Sequence, residues 1–310
     1  MTEATKAGLR EHLRAGRFVM TAEIVPPLSA DPDHLLARAR PLRGLADAVN
    51  VTDGAGARAQ LGALSAAAIL ARDGIEPILQ ITCRDRNRIA LQGDLLGAAA
   101  SGIRNLLILT GDDPKAGDQP DAKPVFDLDS RALIETAEMM RASGALPSGR
   151  RIEGGNLDFF IGAADMPIDP PAGWQPKSLA AKVAAGARFA QTQFCMDAGV
   201  VRRYIGRLAD DGLTEKIAML IGVTPLRSAK SARWMVQNLH GTIIPDAAIA
   251  ALEAAGDPVE TGRRICVDLI RELADIRGVA GIHVMAPADQ AGLAAFLKDA
   301  RQALPRARQT

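Results

Sequence analysis

The stretch that decides the fold runs from Ile103 to Ser130 and reads IRNLLILTGDDPKAGDQPDAKPVFDLDS. It opens with a short apolar run at residues 106–109, which is typical of a strand buried on both faces of a parallel sheet. Gly111 permits a turn or the close approach of a ligand, and Pro114 cannot donate to a sheet, so the strand ends there. A long loop follows, and Asp129 then occupies the place of a helix N-cap. Long loops at the carboxyl end of a parallel strand are typical of functional sites, and the alternative interpretation is a solvated turn.

Apolar runs and helical segments alternate along the chain on both sides of this stretch. The runs predict eight strands, at residues 18–25, 48–51, 77–82, 106–109, 158–161, 189–194, 217–223 and 282–285. Segments of helical periodicity follow the strands. One further helix precedes the first strand at residues 2–15, and two successive helices at 245–255 and 259–276 precede the eighth. Strands that alternate with helices in this way indicate a parallel α/β fold.

The number of repeats and the chain length favour a closed barrel. A (β/α)8 barrel typically needs about 250 residues, and the 310 residues here accommodate it as a single domain over 1–310. The predicted fold class is therefore an α/β (β/α)8 TIM barrel with an extra N-terminal helix and an extra helix before strand eight. A doubly wound open sheet is the alternative, and the lack of a GxGxxG motif after the first strand disfavours it.

The composition excludes several classes of function. A formal net charge of +1 and an aromatic content of 3% favour neither a nucleic-acid-binding surface nor a base-stacking platform. Cys83, Cys195 and Cys266 are far apart and odd in number, so we expect neither a disulfide framework nor a metal site. A reducing cytoplasm is then the simplest compartment. Residues 1–17 do not resemble a signal peptide, and no apolar window is long enough to predict a membrane span.

Polar residues at the carboxyl ends of the predicted strands indicate where the site lies, because those ends converge on one face of a barrel. In chain order they are Glu23, Thr52, Asp53, Gln80, Thr82, Thr110, Asp112, Asp165, Gln193, Thr224 and His283. Carboxylates and amides can pair with the N–H and C=O edge of a pterin or flavin ring. This ring of side chains therefore favours an uncharged or cationic heterocycle as the ligand.

Glu23 is the clearest candidate for a catalytic residue. It interrupts the apolar strand MTAEIV at residues 20–25, and a carboxylate is rarely buried in such a strand without a reason. A general acid that works near neutral pH is typically placed in such a protected environment. The alternative is a structural ion pair between Glu23 and a basic neighbour.

The other candidates have structural interpretations as well. Asp112 could accept from a ring N–H or cap the following turn. Gln193 alternates with apolar neighbours, and an inward amide needs hydrogen-bond partners, which favours ligand contact. Lys182 lies in a helical segment whose spacing alone predicts a solvated face, and His283 lies inside a strand with an ambiguous role. The remaining histidines are predicted to lie on the surface: His12, His34 and His240.

Six short motifs occur in an order that resembles the methylenetetrahydrofolate reductase family, in a divergent branch of its bacterial type. They are AEIVPP (22–27), VTDG (51–54), ITC (81–83), LTGD (109–112), AAGA (184–187) and QTQF (191–194), and the match extends from Thr21 to about Phe296. The resemblance implies a (β/α)8 flavoprotein of one-carbon metabolism that reduces 5,10-methylenetetrahydrofolate to 5-methyltetrahydrofolate. The implied partners are a tetrahydrofolate derivative and NADH or NADPH, and a homo-oligomer is compatible with it.

The resemblance also implies roles for single residues. Glu23 matches the general acid that helps to open the methylene bridge, and Asp112 matches a carboxylate near the flavin ring and the pterin amino group, so these two form the predicted catalytic pair. Gln193 matches the residue that hydrogen-bonds the pterin, so all three are predicted to bind substrate. Lys182 faces the flavin phosphates in this comparison. The predicted cofactor-binding residues are Thr52, Gln80, Thr110, Gly111, Asp112, Asp129, Gly162, Asp165 and Lys182.

The chain departs from the well-studied enterobacterial type mainly at positions that contact flavin or nicotinamide. The departures are Thr110 in place of Arg, Gln80 in place of His, Gly162 in place of Tyr, Met166 in place of His, Leu252 in place of an aromatic residue and Ala181 in place of Arg. FAD is the expected flavin, with FMN or no bound flavin as alternatives. The rival functions are direct hydride transfer from NAD(P)H without flavin, a methyltetrahydrofolate-binding methyltransferase barrel and a non-catalytic folate-binding protein. Oxidation of methyltetrahydrofolate is a further alternative for the direction of the reaction.

Overall fold

Eight parallel strands close into a barrel in which each strand pairs with the next along the chain and the eighth pairs with the first. The computed structural model describes residues 7–154, 157–286 and 292–304. The strands are β1 (Val19–Ile24), β2 (Ala48–Val51), β3 (Pro77–Thr82), β4 (Asn105–Leu109), β5 (Phe160–Asp165), β6 (Phe189–Phe194), β7 (Ala218–Val223) and β8 (Val279–Val284). The predicted (β/α)8 TIM barrel is confirmed.

The helices surround this barrel. They are α1 (Leu9–Arg14), α2 (Pro32–Ala39), α3 (Ala63–Arg72), α4 (Arg88–Ala100), α5 (Ser130–Ser143), α6 (Lys177–Ala185), α7 (Ala198–Asp210), α8 (Ala229–Asn238), α9 (Asp246–Ala254), α10 (Pro258–Ala274) and α11 (Leu293–Ala303). Helix α1 is the predicted N-terminal addition, although residues 2–6 of that prediction lie outside the described residues. Helices α9 and α10 form the predicted addition before β8.

Two predicted strands differ from the observed ones by more than one residue at an end, and each contains a glycine that the prediction left outside the strand. The prediction ended the fifth strand at residue 161, but β5 continues through Gly162 and two alanines, which are weak strand formers that pair with β6. The prediction began the eighth strand at residue 282, but β8 starts at Val279. Gly281 lies so close to Val19 that a Cβ there would be 2.3 Å from the Val19 carbonyl oxygen. Close packing of the backbone requires glycine at such a position. Glycine is uncommon within strands, so the sequence pattern did not predict a strand there.

The lower layer of the barrel interior is apolar. Its members are Leu9, Val19, Ala48, Ile78, Leu107, Phe160, Phe189 and Leu220. The rings of Phe160 and Phe189 stack with their centroids 5.0 Å apart. Helix α1 places Leu9 against this end of the barrel, where its backbone N–H donates to Glu76. The apolar layer thereby forms the floor of the interior.

Polar side chains replace this layer toward the carboxyl ends of the strands. Successive inward positions of a strand are two residues apart. On β1 they pass from Val19 through Thr21 to Glu23, and on β6 they pass from Phe189 to Gln191. Along each of these two strands, the inward-facing residues therefore change from apolar at the floor to polar toward the open end of the barrel.

Candidate functional site

A cavity of about 700 Å³ opens at the carboxyl ends of the strands, and we call it the upper pocket. Its volume is in the usual range of small-molecule sites, and this face is where TIM barrels carry their active sites. Six predicted site residues line it: Glu23, Gln80, Asp112, Asp165, Lys182 and Gln193. Another cavity, of about 540 Å³, lies at the amino-terminal end, where ion pairs such as Arg10–Asp158 surround it. Residues at that end of a TIM barrel usually serve stability.

Glu23 projects from β1 into the upper pocket, and two neighbouring side chains contact its Oε2 atom. The Gln80 side chain donates from Nε2 to Oε2 at 2.9 Å. The Nε2 atom of His283 lies 3.5 Å from the same oxygen. The Glu23 side chain keeps 19% of its surface exposed, against 3% for His283. Glu23 is thus accessible from the pocket, which the general-acid interpretation requires. It is also adjacent to a basic residue, which the ion-pair interpretation requires.

A hydrogen-bonded group of buried side chains lies directly beneath Glu23, and we call it the buried network. Asn50 and Gln191 exchange two amide hydrogen bonds, of 2.5 and 2.9 Å. Gln191 Nε2 is also 3.0 Å from Thr21 Oγ1, which is 3.0 Å from His283 Nδ1. Sequence reasoning missed Thr21, Asn50 and Gln191 as parts of the site. The alternation within β1, β2 and β6 was the available signal, since each residue precedes a predicted site residue by two positions.

A second cluster of ionisable groups lies on the β5 side of the pocket. The Tyr204 hydroxyl donates to the Asp165 carboxylate at 2.5 Å, and Lys182 donates from Nζ to the Ala164 carbonyl at 2.7 Å. Burial raises the pKa of Asp165 and also that of Tyr204, and it lowers the pKa of Lys182. The prediction of a solvated face for Lys182 is wrong, because its amine turns inward to this cluster. Tyr204, the single tyrosine of the chain, was not predicted to belong to the site.

Asp112 links two of the loops that follow the strands. Its Oδ2 atom accepts from the Gly56 backbone N–H at 3.0 Å, which joins the loop after β4 to the loop after β2. The neighbouring Asp113, and not Asp112, caps the next turn by accepting from the Lys115 N–H at 2.9 Å. The capping alternative for Asp112 is therefore wrong, and the residue lies exposed at the edge of the pocket.

Five predicted cofactor residues do not line the upper pocket: Thr52, Thr110, Gly111, Asp129 and Gly162. Asp129 caps α5, as its position indicated, by accepting from the Ala132 N–H at 2.7 Å. Gly162 lies inside the barrel, where a Cβ would be 2.3 Å from the Phe189 ring. Gly111 has a φ of +97° and lies against Thr82 and Arg84, and Thr110 is exposed. Thr52 is buried, and no described residue bonds its Oγ1 atom.

Gln193 lies at the mouth of the pocket, partly exposed. Its Oε1 atom accepts from the Phe194 N–H at 3.0 Å, and its Nε2 atom donates to the His240 carbonyl at 3.3 Å. His240 is exposed as predicted, and it also lines the pocket. Among the positions where the chain departs from the family pattern, Met166 lines the pocket, whereas Leu252 is buried in α9 outside it.

The described residues offer no alternative centre of metal or thiol chemistry. Across residues 7–154, 157–286 and 292–304, no group of three or more His, Cys, Asp or Glu side chains is arranged to hold a metal ion. The three cysteines are buried and unpaired. Burial raises the pKa of Cys83 and of Cys195 to about 11, which disfavours their nucleophilic thiolate forms. None of the helices described is long and apolar enough to cross a membrane.

Comparison with known proteins identifies the family. The family model for methylenetetrahydrofolate reductase matches residues 8–299. A probable methylenetetrahydrofolate reductase (NADPH) of Caenorhabditis elegans is 28% identical over 227 residues, which are 71% of this chain and 31% of the relative. The chain therefore spans less than a third of the length of that relative.

Solved structures share the barrel at low sequence identity. One is an uncharacterised protein from Clostridium thermocellum that binds two copies of 5-methyl-5,6,7,8-tetrahydrofolic acid. It has a TM-score of 0.64 and 13% identity, with coverage of 94% of this chain and 97% of that one. An EDTA monooxygenase from Chelativorans has a TM-score of 0.56 and 13% identity, with coverage of 95% and 96%. Both comparisons support the fold. The match of the family model over most of the chain shows that the protein belongs to the methylenetetrahydrofolate reductase family.

Proposed function

We propose that this chain interconverts 5,10-methylenetetrahydrofolate and 5-methyltetrahydrofolate, with a nicotinamide nucleotide as the hydride partner. The observation that carries this proposal is the position of Glu23, which is accessible from the upper pocket and contacted at one oxygen by Gln80 and His283. A tetrahydrofolate is also the ligand class named for the C. thermocellum protein with the same fold. The pocket volume of about 700 Å³ suits a ligand of that size.

In the reductive direction Glu23 supplies a proton. Protonation of folate N10 allows the bond between N10 and the bridging carbon to break, which leaves an iminium at N5. Hydride addition to the bridging carbon then gives the N5-methyl group. Gln193 and Asp112 lie at the mouth and edge of the pocket, where an amide and a carboxylate can pair with the pterin edge. A positioned general acid typically contributes 10²- to 10⁴-fold in rate.

The residues present fit a flavin poorly. Of the nine predicted cofactor residues, only Gln80, Asp112, Asp165 and Lys182 line the upper pocket. Lys182, predicted to face the flavin phosphates, donates to Ala164 and lies beside Asp165. Thr52 Oγ1 is a buried atom that a bound group could satisfy, but it lies outside the pocket lining. These positions favour direct hydride transfer from NAD(P)H, without a flavin, as the second candidate.

A visible absorption spectrum separates the two versions of the proposal. The purified chain is measured alone, with FAD and with FMN, and then with NAD(P)H and methylenetetrahydrofolate in turn. A bound flavin that NADH or NADPH bleaches and the folate restores would support the flavin-dependent reductase. A colourless chain that takes up no flavin yet oxidises NAD(P)H in the presence of the folate would support direct transfer. Folate binding without turnover with either nucleotide, in either direction, would overturn the reductase proposal.

A further inference from the structure

The side chains of the buried network form a continuous row of hydrogen-bonding groups beneath Glu23. Glu23 stands at its upper end, His283 connects it to Thr21, and the paired amides of Gln191 and Asn50 form its lower end. Apart from Glu23, these side chains are 3% exposed or less. Buried polar groups that satisfy one another in this way have few alternative arrangements, since an unpaired group would carry a large free-energy cost.

The carboxylate determines where the hydrogens lie. An ionised carboxylate can only accept, so a favourable contact between Glu23 Oε2 and His283 Nε2, 3.5 Å away, requires the proton of the ring to be on Nε2. In the neutral ring, Nδ1 is then an acceptor, and two donors face it: Thr21 Oγ1 at 3.0 Å and Gln191 Nε2 at 3.3 Å. The Ile282 carbonyl, at 3.3 Å, is the second acceptor available to the Thr21 hydroxyl. Thr21 in turn accepts from Gln191 Nε2, and Gln191 Oε1 accepts from Asn50. Every step of the chain satisfies a donor with an acceptor.

The two oxygens of Glu23 consequently differ. Oε2 is contacted by Gln80 Nε2 at 2.9 Å and by His283 Nε2 at 3.5 Å. In the part of the chain that the structure describes, no side chain or backbone group donates to Oε1. The proton that a general acid delivers can therefore reside on Oε1, while the other oxygen is kept in place.

We propose that His283, held as its Nε2–H tautomer by Thr21 and Gln191, is a positioning residue that directs Oε1 of Glu23 toward the substrate. This inference rests on the proposed function, because it assumes that Glu23 donates a proton in the upper pocket. The tautomer, however, is a property of the free protein. It can be measured whether or not the chain is a reductase.

The first test uses the unaltered chain. The protein has four histidines, so a ¹⁵N spectrum of histidine-labelled protein at neutral pH contains few signals. Signals are assigned with His12→Gln, His34→Gln and His240→Gln. We expect a protonated Nε2 and an unprotonated Nδ1 for His283. An Nδ1–H tautomer or a doubly protonated ring would overturn the proposal, even in a protein with full reductase activity.

The second test uses a matched pair of variants. The amide of His283→Gln reaches about as far as Nε2 and keeps a donor for Glu23, whereas His283→Asn keeps only a group near Nδ1. A displacement of about 1 Å at a catalytic group can cost about 100-fold in rate. We expect His283→Asn to lower kcat by about 100-fold with little change in folate Kd, and His283→Gln to recover most of that loss. Equal activity of the two variants would overturn the proposal.

Thr21→Val tests the lower part of the network. It removes the hydroxyl that selects the tautomer, so we expect a mixture of His283 tautomers together with a lower kcat. Thr136→Val is the control, because Thr136 is a mostly buried threonine of α5 that donates only to Ala132 within its own helix. A single Nε2–H tautomer in Thr21→Val would overturn the assignment to Thr21. If the unaltered chain lacks reductase activity, the proposed function fails while the spectra still decide the tautomer.

Discussion

Three carboxylates line the upper pocket, and two of them, Glu23 on β1 and Asp165 at the end of β5, have contrasting environments. Glu23 retains some exposure and is contacted by an amide and an imidazole. Asp165 is partly buried as well, but it accepts from the Tyr204 hydroxyl and lies near Lys182, and burial raises its pKa. The carboxylate that we propose as the proton donor is contacted at one oxygen by an amide and an imidazole, whereas Asp165 is engaged by a buried phenol. Environment, and not residue type, separates the two roles.

The contrast also separates the two halves of the expected function. On the Glu23 side, the residue that the family resemblance relates to folate protonation is contacted by His283 and by Gln80, which was predicted to bind the cofactor. On the Asp165 side, the two residues predicted to hold a flavin are engaged by other protein groups, and Asp165 accepts from the Tyr204 hydroxyl. Lys182, for example, donates to Ala164. We therefore expect substitutions on the two sides to affect different measurements.

The largest expected effect is on turnover when each carboxylate is changed to its amide. Glu23→Gln removes the proton donor and should lower kcat by 10²- to 10⁴-fold, with folate Kd nearly unchanged. Asp165→Asn is the matched control, since it neutralises a carboxylate on the opposite side of the same pocket, and it should change kcat by less than about tenfold. Stopped-flow or steady-state oxidation of NAD(P)H measures both. Comparable losses in the two variants would remove the distinction between the two sides.

Folate binding without turnover in Glu23→Gln also bears on the rival functions. A methyltransferase that only binds methyltetrahydrofolate does not need a proton donor at this position. Loss of reductase activity with retained folate affinity therefore counts against it. A variant that turns over like the unaltered chain would instead remove Glu23 from the mechanism.

A smaller effect is expected at the mouth of the pocket. Gln193→Ala removes an amide that lies partly exposed beside His240, and it should weaken folate binding by about tenfold. Nucleotide or flavin affinity should stay nearly constant. Isothermal titration calorimetry with 5-methyltetrahydrofolate measures the change, and Gln237→Ala on the exposed surface of α8 is the control. An unchanged folate Kd would refute the assignment of Gln193 to the pterin.

The smallest effect is a pH-dependent change in stability on the Asp165 side. A carboxyl group whose pKa is raised by folding stabilises the protein at low pH. That stabilisation is lost as the pH rises through the folded-state pKa, because the unfolded chain ionises more easily. Asp165→Asn does not ionise, so its stability relative to the unaltered chain should increase from acid to mildly alkaline pH. Urea unfolding at several pH values measures this difference. If the stability of Asp165→Asn relative to the unaltered chain stays constant or falls as the pH rises, folding does not raise the pKa of Asp165.

Local signals predicted the architecture well because each element carries its own pattern. The strands β3 and β6 have their predicted limits, and the cap predicted at Asp129 begins α5. Errors occurred where a glycine serves a contact that is distant in sequence. Gly162 makes room for Phe189, and Gly281 makes room for the backbone of Val19. Such contacts leave no trace in a local window.

The sequence by itself determined the eight-fold β/α repeat, the face that bears the site and the candidacy of Glu23, Asp112 and Gln193. These follow from periodicities and turn residues that act within a few positions of the chain. Only the tertiary structure decided which polar groups meet: His283 with Glu23, Gln191 with Asn50, and Tyr204 with Asp165. Members of these pairs lie 260, 141 and 39 positions apart. Barrel closure alone brings them within bonding distance, and burial then determines which groups are held and which remain accessible from the pocket.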